Sequence, residues 1–179
     1  MNVTKQTFTT LCYVEKEGKY LMLHRTKKEH DINKDKYIGI GGHIEHGETP
    51  TECIKREALE ETGLILKNPR LRGLITFVID DTDEYSFLYT CTDFEGTLSE
   101  CREGDLEWIE KERIFDLPLW EGDKVFVKLL DEEEAFFSRK LVYENDVLIR
   151  TERDLRKRLK KATRKETEDS YTKRDGRTP

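Results

Sequence analysis

Residues 42–64 read GHIEHGETPTECIKREALEETGL, a segment that local rules fold into a helix yet that sets glutamates where a helix buries apolar side chains. Thr49 is an N-cap residue, Pro50 suits the first helical position, Glu52 completes a capping box, and Gly63 supplies a left-handed stop. The spacing predicts a helix over 50–62. On it Cys53, Glu57, Glu60, Glu61 and Leu64 follow the i, i+4, i+7, i+8, i+11 series of a core-facing stripe. Like charges so placed repel, and desolvation raises the cost. A cation must gather there, or the stripe is a solvated acidic face, as charge runs commonly are. Hard divalent ions such as Mg²⁺ prefer carboxylate oxygens and share them with substrate phosphates.

Gly39, Gly41, Gly42 and Gly47 crowd the loop entering this helix, so backbone groups can approach a ligand with no Cβ in the way. A glycine loop leading into a helix N-terminus is a generic anion cradle. It lacks G-x-x-x-x-G-K-[ST], which excludes a P-loop, and it does not fit the dinucleotide pattern G-x-G-x-x-G.

The full arrangement is more specific. Gly42, five residues, Glu48, seven residues, then Arg56-Glu57-Ala58-Leu59-Glu60-Glu61-Thr62-Gly63-Leu64 resembles the box of the Nudix hydrolases, G-x5-E-x7-R-E-U-x-E-E-x-G-U. Ala58 departs from the bulky aliphatic residue at the first U, which costs packing rather than chemistry. The resemblance implies cleavage of a nucleoside diphosphate linked to another group, with Mg²⁺ or Mn²⁺. It implies Glu57, Glu60 and Glu61 as metal ligands together with the Gly41 carbonyl, and Gly42 in the substrate cradle. Glu57 or Glu60 would orient or deprotonate the attacking water. Arg56 would hold the carboxylates in register, the alternative being a surface arginine, and Glu48 would support the loop.

The chemistry asks for this equipment. Attack on phosphorus among anionic oxygens needs charge neutralisation, an aligned water and a stabilised leaving group, which clustered metals supply without a nucleophilic side chain. No G-x-S-x-G elbow is present. Cys12, Cys53, Cys91 and Cys101 lie far apart without C-x-x-C pairing and read as reduced, small apolar residues. His43 and His46 have no neighbouring cysteine partner for a zinc site. No apolar run approaches the length of a membrane span and no signal peptide opens the sequence, which gives a cytoplasmic expectation.

Strands are expected over 7–14, 19–25, 71–79, 85–92 and 106–110. The first pair should turn through Glu15-Lys16-Glu17-Gly18 and the second through Asp80-Asp81-Thr82-Asp83. Residues 122–134 carry Val125, Phe126, Leu129 and Leu130 on one side, the mark of a second helix. Residues 135–143 and 147–150 read as a closing hairpin. The expected fold is α/β: a Nudix-type α/β/α sandwich with a mixed β-sheet, spanning 1–150.

Within the family, segments 9–14, 21–26 and 117–123 look similar to MutT-like 8-oxo-dGTP diphosphatases. There an aromatic and an acidic residue face the purine, which makes Trp120 and Asp123 the matching candidates here. Their alternatives are packing at the sheet edge and service to a helix N-terminus. Ile38 stands where mammalian members carry a base-reading amide, and Gly122 replaces one of their paired acids. Glu103 matches an additional loop carboxylate that binds metal, and Arg25 ends a strand where a cation meets phosphates or makes a surface ion pair. The expected reaction is Mg²⁺-dependent hydrolysis of a purine (d)NTP such as 8-oxo-dGTP to monophosphate and pyrophosphate. ADP-sugars, dinucleoside polyphosphates and capped RNA are alternative substrates, and a non-catalytic nucleotide or RNA sensor is the competing class.

Residues 151–179 carry eleven Lys/Arg and six Asp/Glu, which leaves a net charge of −11 on residues 1–150. The run Arg153, Arg156, Lys157, Arg158, Lys160, Lys161, Arg164, Lys165 reads first as a solvated, partly helical or disordered extension, and second as a nucleic-acid contact.

Overall fold

Strand β1 (Lys5–Lys16) alternates between two cores and so fixes the layers. Leu11 and Tyr13 point to a cluster containing Phe126, Val127 and Leu130, while Cys12 and Val14 point to one containing Ile54 and Ala58. The unbroken apolar run Tyr20-Leu21-Met22-Leu23 in β2 (Lys19–His24) has the same cause, since both faces of the strand are covered. The computed structural model describes residues 4–132 and 136–153.

After β2 come β3 (Tyr37–Ile38), helix α1 (Pro50–Thr62), β4 (Ile65–Leu66), β5 (Arg70–Ile79), β6 (Thr82–Cys91), β7 (Phe94–Glu95) and β8 (Asp105–Glu110). A 3-10 turn (Lys111–Asp116), helix α2 (Glu121–Glu132), β9 (Phe137–Glu144) and β10 (Val147–Arg153) complete the described chain. The main sheet runs β10-β9-β5-β6-β1-β2-β3, with β8 also on β2. It is mixed: β1 with β6 and β5 with β9 are parallel, and the other pairs are antiparallel. Helix α1 covers one face and α2 the other, as the sequence predicts. Burying a side chain such as Phe126, fully covered here, contributes about 2–3 kcal/mol.

Hairpin turns follow local chemistry. Glu17 and Gly18 adopt φ of 50° and 75°, and Asn145 and Asp146 adopt 49° and 63°, the paired positive values of a tight two-residue turn. The β5–β6 turn is shorter than expected. Ile79 pairs directly with Thr82, so Asp80 and Asp81 alone make the bend and Thr82-Asp83 join the ladder. The two-residue strands β3, β4 and β7 and the 3-10 turn are too short to show periodicity in the sequence. Strand β10 extends three residues past the expected boundary at 150, with Lys140 and Glu152 paired across it at 2.8 Å. Residues 154–179, including the rest of the basic run, lie outside the described residues. Among the described residues, no helix is long and apolar enough to cross a membrane.

Candidate active site

The glycine loop is stitched to β1. Cys12 and Ile40 exchange backbone hydrogen bonds at 2.7 and 3.0 Å, Thr10 N–H donates to the Gly42 carbonyl at 2.9 Å, and Ile44 N–H donates to Phe8 at 3.0 Å. This proximity dictates glycine at 41, where a Cβ would lie 2.0 Å from the Thr10 carbonyl oxygen. At Gly42 a Cβ would meet Glu57 Cδ and Oε1 at 2.5 Å, so the Glu57 carboxylate rests on the bare Cα.

Helix α1 begins as predicted. Glu52 N–H donates to Thr49 Oγ1 at 3.2 Å, Glu52 Oε2 accepts Thr49 N–H at 2.8 Å, and Gly63 closes the helix at φ 76°. Its buried residues are Cys53, Ile54, Ala58, Glu61 and Thr62. The predicted stripe therefore needs correction: Glu61 lies inside, Glu57 sits at the edge, and the Glu60 side chain is 60% exposed. Among the described residues no three His, Cys, Asp or Glu groups converge as a metal cage. Instead Glu48, Glu57 and Glu60 share Arg56, while Glu61 turns to the Gly41 N–H.

Arg56 is the hub of that arrangement. Its Nε and Nη2 donate to Glu48 at 2.7 and 3.0 Å, Nη1 donates to Glu57 at 2.8 Å and to Glu60 at 3.3 Å, and Nη2 also reaches the His43 carbonyl at 3.2 Å. The surface alternative for Arg56 is thereby set aside. The hydrogen bond from Arg56 pulls the Glu48 carboxyl down to about 2 and keeps both ends charged. Glu61 behaves oppositely. Burial pushes its carboxyl up to about 7 against the opposing Gly41 N–H, which donates to Oε2 at 3.1 Å, and Glu57 pushes it further.

A cavity of about 250 Å³ runs from this loop along the sheet face under α2. Gly41, Gly42 and Arg25 line it, as do Trp120, Asp123 and Ile38, so the box end and the predicted base-reading residues share one space. Asp123 is 6% exposed, and burial raises its carboxyl to about 7, with Lys36 opposing. Trp120 donates from Nε1 to Asn33 Oδ1 at 2.8 Å, meets the Tyr143 ring edge-on at 6.1 Å, and carries the Lys36 ammonium 5.1 Å from its ring. Gly122 has a local reason: its N–H donates to the Tyr143 hydroxyl at 2.8 Å, and a Cβ there would lie 2.3 Å from that oxygen.

Arg25 is committed to carboxylates, with Nε on Asp31 at 2.7 Å and Nη1 on Glu103, which also takes Lys28. The structure thus places Glu103 in an ion-pair cluster with Arg25 and Lys28, whose charges also act on Glu61. Sequence reasoning missed Asp31, Asn33, Lys36 and Tyr143. The polar loop 26–36 has no periodicity, and its one signal was the pair of turn-forming residues Asp31 and Asn33 around an apolar Ile32.

The NUDIX domain family matches residues 5–130. An uncharacterized Nudix hydrolase, YvcI, from Bacillus subtilis is 32% identical over 64% of this chain and 72% of its own length. The NAD-capped RNA hydrolase NudC of Haemophilus influenzae is 29% identical over 64% of this chain but only 43% of its own length. The mouse oxidized purine nucleoside triphosphate hydrolase is 26% identical over 68% and 80%. Among solved structures, the mutator MutT protein of Bacillus halodurans superposes with a TM-score of 0.75 and 29% identity over 83% of this chain and 97% of its own. By the family match, the box geometry and the shared sheet topology, this chain belongs to the Nudix hydrolases, which act on pyrophosphate bonds and generally use divalent metals.

Proposed function

We propose that the protein is a Mg²⁺-dependent pyrophosphohydrolase of purine nucleoside triphosphates, oxidised ones included, releasing monophosphate and pyrophosphate. The observation that carries this reading is the single cavity joining the Gly41–Gly42 strap to Trp120 and the buried Asp123. In this reading the triphosphate lies at the strap and the base at the Trp120 and Asp123 end of the same cavity. The likeness to the mouse enzyme and to MutT supports the same substrate class. Removal of such nucleotides would be a sanitation step for the DNA precursor pool.

The donor set fits a hard dication: Glu57, Glu60, Glu61 and the Gly41 carbonyl offer only oxygen, and buried Glu61 gains most from a neighbouring positive charge. Bound there, Mg²⁺ or Mn²⁺ supplies charge neutralisation for the phosphate oxygens. The chain does the rest. Arg56 holds Glu57 Oε1 in place, Glu57 or Glu60 orients the water and takes its proton on a carboxylate oxygen, and the strap backbone cradles phosphate. Arg25, neutralised by Asp31 and Glu103, sets the cavity wall rather than a free phosphate clamp. The Trp120 ring stacks on the base and Asp123 binds its edge.

A second reading, hydrolysis of a nucleotide cap, draws on the NudC likeness. A panel of purine triphosphates, 8-oxo-dGTP, NAD, ADP-ribose and NAD-capped RNA, with product identification and with or without Mg²⁺, tests both. Orthophosphate with a nucleoside diphosphate product, or turnover confined to the NAD compounds, would overturn the triphosphate assignment.

A further inference from the structure

The loop between β2 and β3 brings one carboxamide to the base end of the cavity. Asn33 Oδ1 accepts the Trp120 indole N–H at 2.8 Å. An indole can only donate, so the amide oxygen must face Trp120 and the Nδ2 amine must face away. That amine has no protein partner among the described residues, and Asn33 lines the same cavity as Trp120 and Asp123. Asp123 also offers its carboxyl to the cavity without a protein hydrogen bond among the described residues.

Asn33 does not wander. Its backbone N–H donates to Asp31 Oδ1 at 3.0 Å, while Asp31 Oδ2 receives Arg25 Nε at 2.7 Å with its side chain only 7% exposed. Lys36 N–H returns to the Asn33 carbonyl at 2.9 Å, and Arg25 N–H to the Lys36 carbonyl at 2.9 Å, which closes the loop onto the end of β2. The chain from Glu103 through Arg25 and Asp31 thus fixes the position of one donor. Ile38, apolar and lining the same cavity, supplies none.

We propose that Asn33 is a specificity-determining residue: it donates Nδ2–H to a ring nitrogen or carbonyl acceptor of a purine base while Asp123 takes an adjacent N–H. This deepens the base-end reading given above and rests on it. A site with a fixed donor beside a fixed acceptor penalises bases that leave either unpaired.

Binding of GMP, AMP, 8-oxo-dGMP and ribose 5-phosphate by calorimetry to wild type, Asn33→Asp and Asn33→Leu tests it. Wild type should bind at least one purine nucleotide more than about 10-fold tighter than ribose 5-phosphate, since Trp120 and Asp123 add to the one hydrogen bond from Asn33. Asn33→Asp keeps an acceptor for the indole N–H but has no donor, so it should lose about 10-fold of that increment, the worth of one good hydrogen bond, and Asn33→Leu should lose at least as much. Ribose 5-phosphate affinity should hold within about twofold in both variants, since neither touches the phosphate end. Were Asn33 only an anchor for Trp120, Asn33→Asp would keep the increment and Asn33→Leu alone would lose it; that result overturns the proposal. So does a wild type that binds all four ligands alike. A wild type with a base-dependent increment and no triphosphate turnover would sink the pyrophosphohydrolase reading and leave this one standing.

Discussion

Replacing Gly42 with alanine separates catalysis from stability at one atom. The new Cβ would lie 2.5 Å from Glu57 Cδ and Oε1 and 2.8 Å from Oε2. Ordinary van der Waals contact requires about 3.5 Å, so the carboxylate must withdraw by about 1 Å. It can do so by side-chain rotation, because the clash is with the far end of a flexible side chain. Gly42 is not among the residues with positive φ, so alanine meets no backbone strain there and narrows the unfolded ensemble, a gain of about 0.4–1 kcal/mol. The cost falls on the site. Glu57 loses its 2.8 Å bond from Arg56 and its alignment, and a displacement of this size costs about 10²-fold in turnover, or about 2.7 kcal/mol of barrier. Steady-state kinetics at saturating Mg²⁺ on the best triphosphate, with thermal melts of both proteins, measure the two effects together. A kcat within about threefold of wild type would refute the role given to Glu57. A Tm lower by more than about 4 °C would refute the argument that only the carboxylate yields.

Three further outcomes are expected. Asp123 is raised to about 7 by burial, so between about pH 4 and 7 the folded state keeps a proton that the unfolded chain has lost, and its contribution falls as pH rises through that window. Asp123→Asn should therefore gain Tm over wild type progressively from pH 5 to pH 8, and a difference that stays constant with pH would count against the buried carboxyl. Changing Glu57, Glu60 or Glu61 to Gln should lower kcat by about 10²-fold or more, with the melting temperature of the Glu61 variant at pH 8 held or raised because a buried charge is removed; unchanged turnover in all three ends the assignment. Arg56→Lys cannot span Glu48 and Glu57 at once, so it should cost roughly 2 kcal/mol in denaturant melts and at least about 10-fold in kcat, while a melt superposable on wild type would show the fork to be dispensable.

Local chemistry carried the parts of this molecule that depend on neighbours in the chain. Thr49, Pro50, Glu52 and Gly63 specify both ends of α1 through bonds spanning three or four residues, and the structure reproduces each of them. The alternating strands and the apolar side of α2 were legible for the same reason: a period of two or 3.6 is written directly in the residue order. The fixed spacing from Gly42 to Leu64 was enough to indicate the family. Tertiary structure decided everything that rests on long-range approach. Glu57, Glu60 and Glu61 look equivalent in the sequence, yet burial and Gly41 single out Glu61, Gly42 and Arg56 claim Glu57, and Glu60 faces solvent. Arg25 joins Asp31 and Glu103, and Asn33 joins Trp120, across 78 and 87 residues of chain for the longer pairs. Such partnerships leave no periodic trace, because the sheet order that brings β2, β8 and α2 together is set by the whole core rather than by any one segment.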